Sequence, residues 1–259
     1  PMNVNVREEN GFRFIEEGEG EPIVLLHGLF GALSNWNDVL NHFKGRYKVL
    51  IPLMPIYTMP IIHLGVKGLA GFIHDFISWK GYDKVTLLGN SLGGHVALVY
   101  VTLHPEKVKA MILTGSSGLY EKAFGDTFPK RGDREYIRQK VSLTFFDPAV
   151  ATDELVDEVL ETTSDRAKVL RILTMAKSAI RHNMRKDIPK IQCPVCLIWG
   201  KQDGITPPNV AEEFHELLPD SELHWIDQCA HAPMMEKPLE FNLLLDGFLM
   251  RMHERGILA

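Results

Sequence analysis

Cysteine is scarce in this chain: its 259 residues include three, Cys193, Cys196 and Cys229. So low and odd a count gives no disulfide scaffold. Cys193-Pro-Val-Cys196 has CxxC spacing, but it lies inside the apolar run "IQCPVCLIWG". A zinc site needs a second ligand pair, which Cys229 and a lone histidine do not supply. Both residues of the pair are therefore expected as small core residues, with no metal. An excess of positive charge is also missing. Lys and Arg number 28 against 33 Asp and Glu, a net charge of −5, and nucleic acid is not an expected partner. No apolar run reaches the ~18 residues of a membrane span. The stretch "PMNVNVREEN" has neither the basic nor the apolar region of a signal peptide, so the expected location is the cytoplasm. Internal repeats and low-complexity tracts are absent too.

Short apolar runs with helical patterns between them make up most of the chain. "PIVLLHG", "YKVLIPL", "KVTLLGN", "VKAMILTG" and "CPVCLIWG" are continuous runs of the kind found in strands buried on both faces, and "ELHWID" is a sixth candidate. "GVKGLAGFIHDFISWKG", "SLGGHVALVYVTLHP", "PPNVAEEFHELLP" and "KPLEFNLLLDGFLMRMHERG" have helical spacing and Pro or Gly at their ends. At the N-terminus "NVNV" and "FRFI" alternate around Asn10-Gly11, a hairpin signal. The alternation predicts an α/β fold with a mostly parallel, doubly wound sheet and an N-terminal antiparallel hairpin. Residues 119–187 break the pattern. They hold helices and no convincing strand, with Thr152 and Ser164 as candidate caps. A helical insertion in a core made of 1–118 and 188–259 is expected.

Within "KVTLLGNSLGGHVAL", Ser91 stands between glycines where a strand becomes a helix. Gly-x-Ser-x-Gly alone is weak, since average composition gives it by chance in roughly one chain in ten of this length. A plain glycine-rich loop is the bland alternative. A reactive serine needs a histidine to take its proton and an acid to orient that histidine. Open α/β sheets build sites at the C-terminal ends of their strands. Asp203 follows one strand in "CLIWGKQDGITPP" and His231 follows the next in "LHWIDQCAHAPMMEKP". Asp227 is the nearest rival acid. The loop after the strand that ends "ILTGSSG" has only Ser116 and Ser117, which favours Asp203.

The order Ser91, Asp203, His231 is that of nucleophile-elbow enzymes, and the chain resembles the α/β-hydrolase superfamily over its whole length. "HGLFGALSNW" (27–36) is similar to the family's oxyanion loop, "GNSLGG" to its elbow, "GKQDGITPP" to its acid loop and "CAHAPMMEKP" to its histidine loop. The resemblance implies that Ser91 is the nucleophile, His231 the base and Asp203 its orienting acid. It implies an oxyanion hole of the Leu92 N–H and the Leu29 N–H, with Phe30 as the alternative to Leu29. It makes residues 119–187 a cap, or lid, and His27 a structural support of the oxyanion loop. His95 is read as packing or capping. The arginines of the cap, Arg131, Arg134, Arg138, Arg166, Arg171, Arg181 and Arg185, are read as a solvated face rather than an anion trap.

One stretch departs from the family. An acidic, glycine-rich loop is usual after the strand "YKVLIP", and this chain has "LMPIYTMPIIHLG" (53–65). Either that loop walls the substrate pocket or it packs on its neighbours. The expected acyl pocket is apolar and includes Phe30, Met54, Tyr57 and Met234. Ser91 stands where haloalkane dehalogenases and epoxide hydrolases carry Asp, which excludes those chemistries. The expected function is a carboxylesterase acting on a small to medium ester. Lactonase, thioesterase, perhydrolase, C–C bond hydrolase and a slow hydrolase-fold receptor share the same triad. No cofactor is implied, and either a monomer or a homodimer fits.

Overall fold

The computed structural model describes residues 5–122 and 133–259. Its eight strands are β1 (Arg7–Glu9), β2 (Phe12–Glu17), β3 (Pro22–Leu26), β4 (Lys48–Pro52), β5 (Val85–Asn90), β6 (Val108–Thr114), β7 (Val195–Gly200) and β8 (Ser221–Ile226). They form one sheet in the order β1-β2-β4-β3-β5-β6-β7-β8. β1/β2 and β2/β4 pair antiparallel and every other pair is parallel. The continuous apolar runs are the inner strands, because those strands are covered on both faces. In β5, Leu87 packs with Ile73, Val96 and Phe214 on one side. Its neighbour Leu88 packs with Leu40 and Phe248 on the other, as the two-residue period of a strand requires.

The helices are α1 (Asn37–Phe43), α2 (Val66–Lys80), α3 (Leu92–Leu103), α4 (Arg134–Ser142), α5 (Asp153–Thr163), α6 (Arg166–Arg181), α7 (Pro208–Leu217), α8 (Pro233–Glu236) and α9 (Pro238–Glu254). Glycine ends α2 as expected: Gly81 takes φ +76 and its N–H caps Ile77 and Ser78. No helix among the described residues is long and apolar enough to cross a membrane.

The first described strand is Arg7–Glu9; residues 3–4 of "NVNV" lie outside the described residues, and Asn5 and Val6 precede the strand. Asn10 and Gly11 both have positive φ (51° and 81°), so they form the two-residue turn and fix Glu9 opposite Phe12. α6 is capped by Asp165, whose Oδ1 accepts from the Ala167 and Lys168 N–H groups. Ser164 instead donates to Leu160 O at the end of α5. Thr152 caps α5 as expected, accepting from the Leu155 N–H.

Between β6 and β7 the described residues hold α4, α5 and α6 and no strand. Residues 123–132 of this interval, Arg131 among them, lie outside the described residues. Arg134 and Arg138 join α4 to Asp153, and Arg134 also joins it to Asp157 on α5. Arg171 of α6 donates to Met59 O (2.7 Å) and Ile56 O (3.3 Å), which ties the 53–65 loop beneath the helix. Arg185 pairs with Glu213.

Candidate active site

β5 ends at Asn90 and α3 begins at Leu92, so Ser91 alone makes the turn. Its φ of 56° and ψ of −121° are rare for a residue with a side chain. The neighbours hold it there. The Ser91 carbonyl accepts from the N–H groups of Gly94 (3.0 Å), Ser117 (3.1 Å) and His95 (3.3 Å). The flanking glycines allow backbone to meet backbone. A Cβ on Gly93 would stand 2.0 Å from Leu26 O, and one on Gly89 would stand 2.5 Å from Gly93 O.

His231 follows β8 and Asp203 follows β7, and the sheet brings both to Ser91. Ser91 Oγ–H donates to His231 Nε2 at 3.0 Å, and His231 Nδ1–H donates to Asp203 Oδ2 at 2.9 Å. The Asp203 side chain is fully buried. Its Oδ1 accepts from the N–H groups of Ile205 and Thr206, both at 2.9 Å, and its Oδ2 from Thr206 Oγ1 at 2.8 Å. These bonds replace the water a buried carboxylate has lost. Burial is the strongest influence on the His231 ring and disfavours its cation. The charge and hydrogen bond of Asp203, with the charge of Glu121, outweigh it and raise the His231 pKa. The rival Asp227 is exposed and accepts from Gln202 Nε2 at 2.8 Å.

Leu92 N–H opens α3, where helix N–H groups have no intrahelical acceptor. Leu29 N–H lies in the loop after β3. Among the described residues neither donates to a protein acceptor, and both residues line the cavity beside Ser91. A chain of buried polar groups sets that loop against the elbow. Gly28 N–H donates to Ser34 Oγ (2.8 Å), Ser34 Oγ–H to Asn90 Oδ1 (2.7 Å), and Asn90 Nδ2 to Thr114 O (2.8 Å) and His231 O (3.1 Å). His27 does the same from the other side. Its Nε2 accepts from Met54 N–H (2.9 Å), which leaves the proton on Nδ1 to donate to Gly28 O (2.8 Å). Burial lowers the His27 pKa and keeps the ring neutral. The histidine loop has its own anchor. Glu236 accepts from the N–H groups of Ala230 (3.0 Å), Phe146 (2.9 Å) and Asp147 (2.7 Å), and His231 N–H donates to Thr144 O (2.9 Å).

The cavity over Ser91 is lined by apolar side chains of the oxyanion loop (Leu29, Phe30, Leu33), the elbow (Leu92), α6 (Ala176, Ala179, Ile180) and Ile205. Ser117, Glu121, Lys122 and Thr144 are its polar wall. Phe30 stands where the sequence placed it. Met54, Tyr57 and Met234 do not line this cavity. Met54 is packed in the core beneath α6, and Met234 is wholly buried at the start of α8. Tyr57 lies in a separate shallow cleft with the Lys168 ammonium over its ring. No residue of the 53–65 loop lines the cavity; Arg171 and His27 hydrogen-bond the loop's backbone instead. No described arginine lines the cavity.

Sequence reasoning missed Ser34, Asn90 and Glu236, each of which has a partner in a distant segment, and Glu121, which accepts from Ser117 four residues away. Thr206 had a local signal. An Asp followed three residues later by Thr is a common side-chain turn. His95 is buried as expected, with its Nε2 3.3 Å from His182 Nδ1. Burial first, and then the charge of His182, push its pKa down to about 3.

All three cysteines are free thiols. Burial pushes the Cys193 pKa up to about 12 and that of Cys196 well above its usual range, so neither is a ready thiolate. Among the described residues, Cys196, Glu222 and His224 come close enough to share a metal ion. Glu222 is already engaged by Arg251 and by His224 Nε2, so no metal is assigned there.

With the fold and this geometry in place, likeness to known proteins becomes informative. A family model described as alpha/beta hydrolase fold matches residues 21–238. The chain is 30% identical over 253 residues to the 2-hydroxy-6-oxo-6-(2'-aminophenyl)hexa-2,4-dienoic acid hydrolase of Metapseudomonas resinovorans, covering 92% of this chain and 87% of that one. It is 25% identical over 279 residues to a monoacylglycerol lipase of Xenopus laevis, covering 96% and 82%. A solved alpha/beta hydrolase enzyme from the metagenome of sediments of the Mar Chica lagoon, Morocco, is 46% identical. It superposes with a TM-score of 0.79 over 97% of this chain and 99% of that one. The chain belongs to the alpha/beta hydrolase fold family of enzymes.

Proposed function

We propose that this enzyme cleaves small to medium carboxylic esters through an acyl-enzyme on Ser91. The observation that carries the reading is the unbroken chain Ser91 Oγ–His231 Nε2 (3.0 Å) and His231 Nδ1–Asp203 Oδ2 (2.9 Å). Ser91 Oγ attacks the ester carbonyl carbon as His231 Nε2 takes its proton. The carbonyl oxygen becomes an anion between the Leu29 and Leu92 N–H groups, which have no protein acceptor among the described residues. Losing one such donor typically costs about 10²–10³ in rate. His231 then gives the proton to the departing alkoxide, and the acyl group stays on Ser91. Water, deprotonated by His231, releases the acid and restores Ser91 Oγ–H. Asp203 holds the imidazole with its free nitrogen toward Ser91 and stabilises the cation formed in each step. In this reading residues 119–187 are a cap over the core made of 1–118 and 188–259, with α6 as the roof of the acyl pocket.

The apolar wall of Leu29, Phe30, Leu33, Leu92, Ala176, Ala179, Ile180 and Ile205 favours alkyl acyl groups. The test is turnover of p-nitrophenyl esters from acetate to octanoate. Measurable kcat/KM with an optimum at an intermediate chain length is expected, and inertness on the whole series refutes the ester reading. The same triad supports a second reading, hydrolysis of a C–C bond, which the dienoic acid hydrolase relative favours. Turnover of a vinylogous diketo acid with inert esters would select it.

A pH dependence follows from the His231 environment. Only neutral imidazole can take the Ser91 proton, so activity is lost as pH falls through the His231 pKa. That pKa is raised, so the acid limb of kcat/KM should have its midpoint above about 6.5, the ordinary imidazole value. A pH–rate profile with its midpoint below that value contradicts the electrostatic account.

A further inference from the structure

Glu121 is a carboxyl group inside a mostly apolar cavity, and the ester mechanism gives it no step. It lines the same space as Ser91, Leu29 and Leu92. Oε2 accepts from Ser117 Oγ–H at 3.0 Å. Oε1 has no protein donor among the described residues. Burial is the largest influence on Glu121 and raises its pKa, with Asp203 adding to the rise and Ser117 and His231 opposing it. The charges near it are His231 and Asp203 below, and Lys122, which is exposed and lines the cavity.

A half-satisfied carboxylate in an apolar pocket costs free energy until a donor reaches it. A substrate hydroxyl or ammonium can be that donor. A substrate carboxylate would instead meet a like charge with little water between them, an arrangement that disfavours binding. We propose that Glu121 sets substrate charge: the cavity takes substrates that bring a hydroxyl or ammonium donor to Oε1, and rejects those that bring a carboxylate. The proposal rests on the reading of Ser91 as the nucleophile and names the substrate class for it. Specificity built this way is a difference between affinities, and repulsion supplies part of it.

The test compares two matched esters, p-nitrophenyl valerate and the mono-p-nitrophenyl ester of glutaric acid. Their acyl groups differ in a terminal methyl against a terminal carboxylate. The wild type should favour the valerate by roughly 100-fold or more in kcat/KM, and Glu121→Gln should narrow that ratio by at least roughly tenfold. The ratio cancels any general loss of activity caused by the substitution. A wild-type ratio near one, or a ratio unchanged in Glu121→Gln, overturns the proposal.

A second measurement does not depend on ester turnover. Boronic acids bind reversibly to an activated serine, so calorimetry can rank 3-(aminomethyl)phenylboronic, phenylboronic and 3-carboxyphenylboronic acids on the wild-type protein. The expected order of affinity is cation, then neutral, then anion. If that order appears while every ester is inert, the ester reading fails and the assignment of Glu121 stands. If the three bind equally, the assignment fails whatever the esters do. If none binds and no ester is turned over, both fall with the triad.

Discussion

Replacing Ser91 by alanine is expected to lower kcat on p-nitrophenyl esters by ~10⁴–10⁶. The size follows from what the substitution removes. In the proposed mechanism Oγ forms the acyl bond, and it is bonded to His231 Nε2 at 3.0 Å. The elbow should survive the change, because the bonds that hold it run to the Ser91 backbone rather than to Oγ. Thermal stability should therefore change little, and KM should move far less than kcat. Residues that act as one unit are not additive. The double variant Ser91→Ala/His231→Ala should then be about as slow as Ser91→Ala alone. A Ser91→Ala protein with full turnover would mean that another group, or bulk water, does the chemistry.

Asp203→Asn is expected to cost about 10⁴ in kcat, through the tautomer of His231. The Asp203 carboxylate accepts four hydrogen bonds: two from backbone N–H groups to Oδ1, and those of Thr206 and His231 to Oδ2. An asparagine keeps one acceptor oxygen and puts an NH₂ group in place of the other. With the oxygen held by the Ile205 and Thr206 N–H groups, the NH₂ faces His231 Nδ1. The imidazole must then accept at Nδ1 and carry its proton on Nε2, where it cannot take the proton of Ser91. The shape of the site is unchanged, so the loss should appear in kcat and little in KM. Thr206→Val is the matching control. It removes one bond to Oδ2 without reversing any donor, and its effect should be far smaller. An Asp203→Asn enzyme within tenfold of wild type would show that His231 does not need this partner.

The fold, and the meeting of Ser91, His231 and Asp203 at one end of the sheet, were legible for a common reason. Each of Ser91, Asp203 and His231 follows a continuous apolar run, and such runs identify strands buried on both faces, whose ends build sites in open sheets. The choice between Asp203 and Asp227 was harder to see, because both stand near strand ends. Local chemistry separates them: Thr206 and its backbone give Asp203 a buried turn, whereas Asp227 is exposed and bonded to Gln202. The supports of the site left no pattern to read. Ser34 meets Asn90 across 56 residues and Glu236 meets Phe146 across 90, and neither contact has a period or a motif.

The pocket was the least legible part. Met54 and Met234 are apolar, as a pocket wall should be, but apolarity mostly marks the core, and both are buried there. One wall of the cavity comes from α6, which the sequence showed only as one of the helices of the insertion. The register of the N-terminal hairpin followed its turn rather than its alternation. Asn10-Gly11 decided which residues pair, setting Glu9 opposite Phe12.

The central claim is that Ser91 is a nucleophile activated by His231, and stoichiometric labelling tests it most directly. The wild-type protein would be treated with diethyl p-nitrophenyl phosphate. Released p-nitrophenolate would be counted, and the modified peptide located by mass spectrometry. One p-nitrophenolate per chain, with the phosphoryl group on Ser91 and no labelling of Ser91→Ala or His231→Ala, is the predicted result. No labelling of the wild type, or a label on any other residue, would contradict the account.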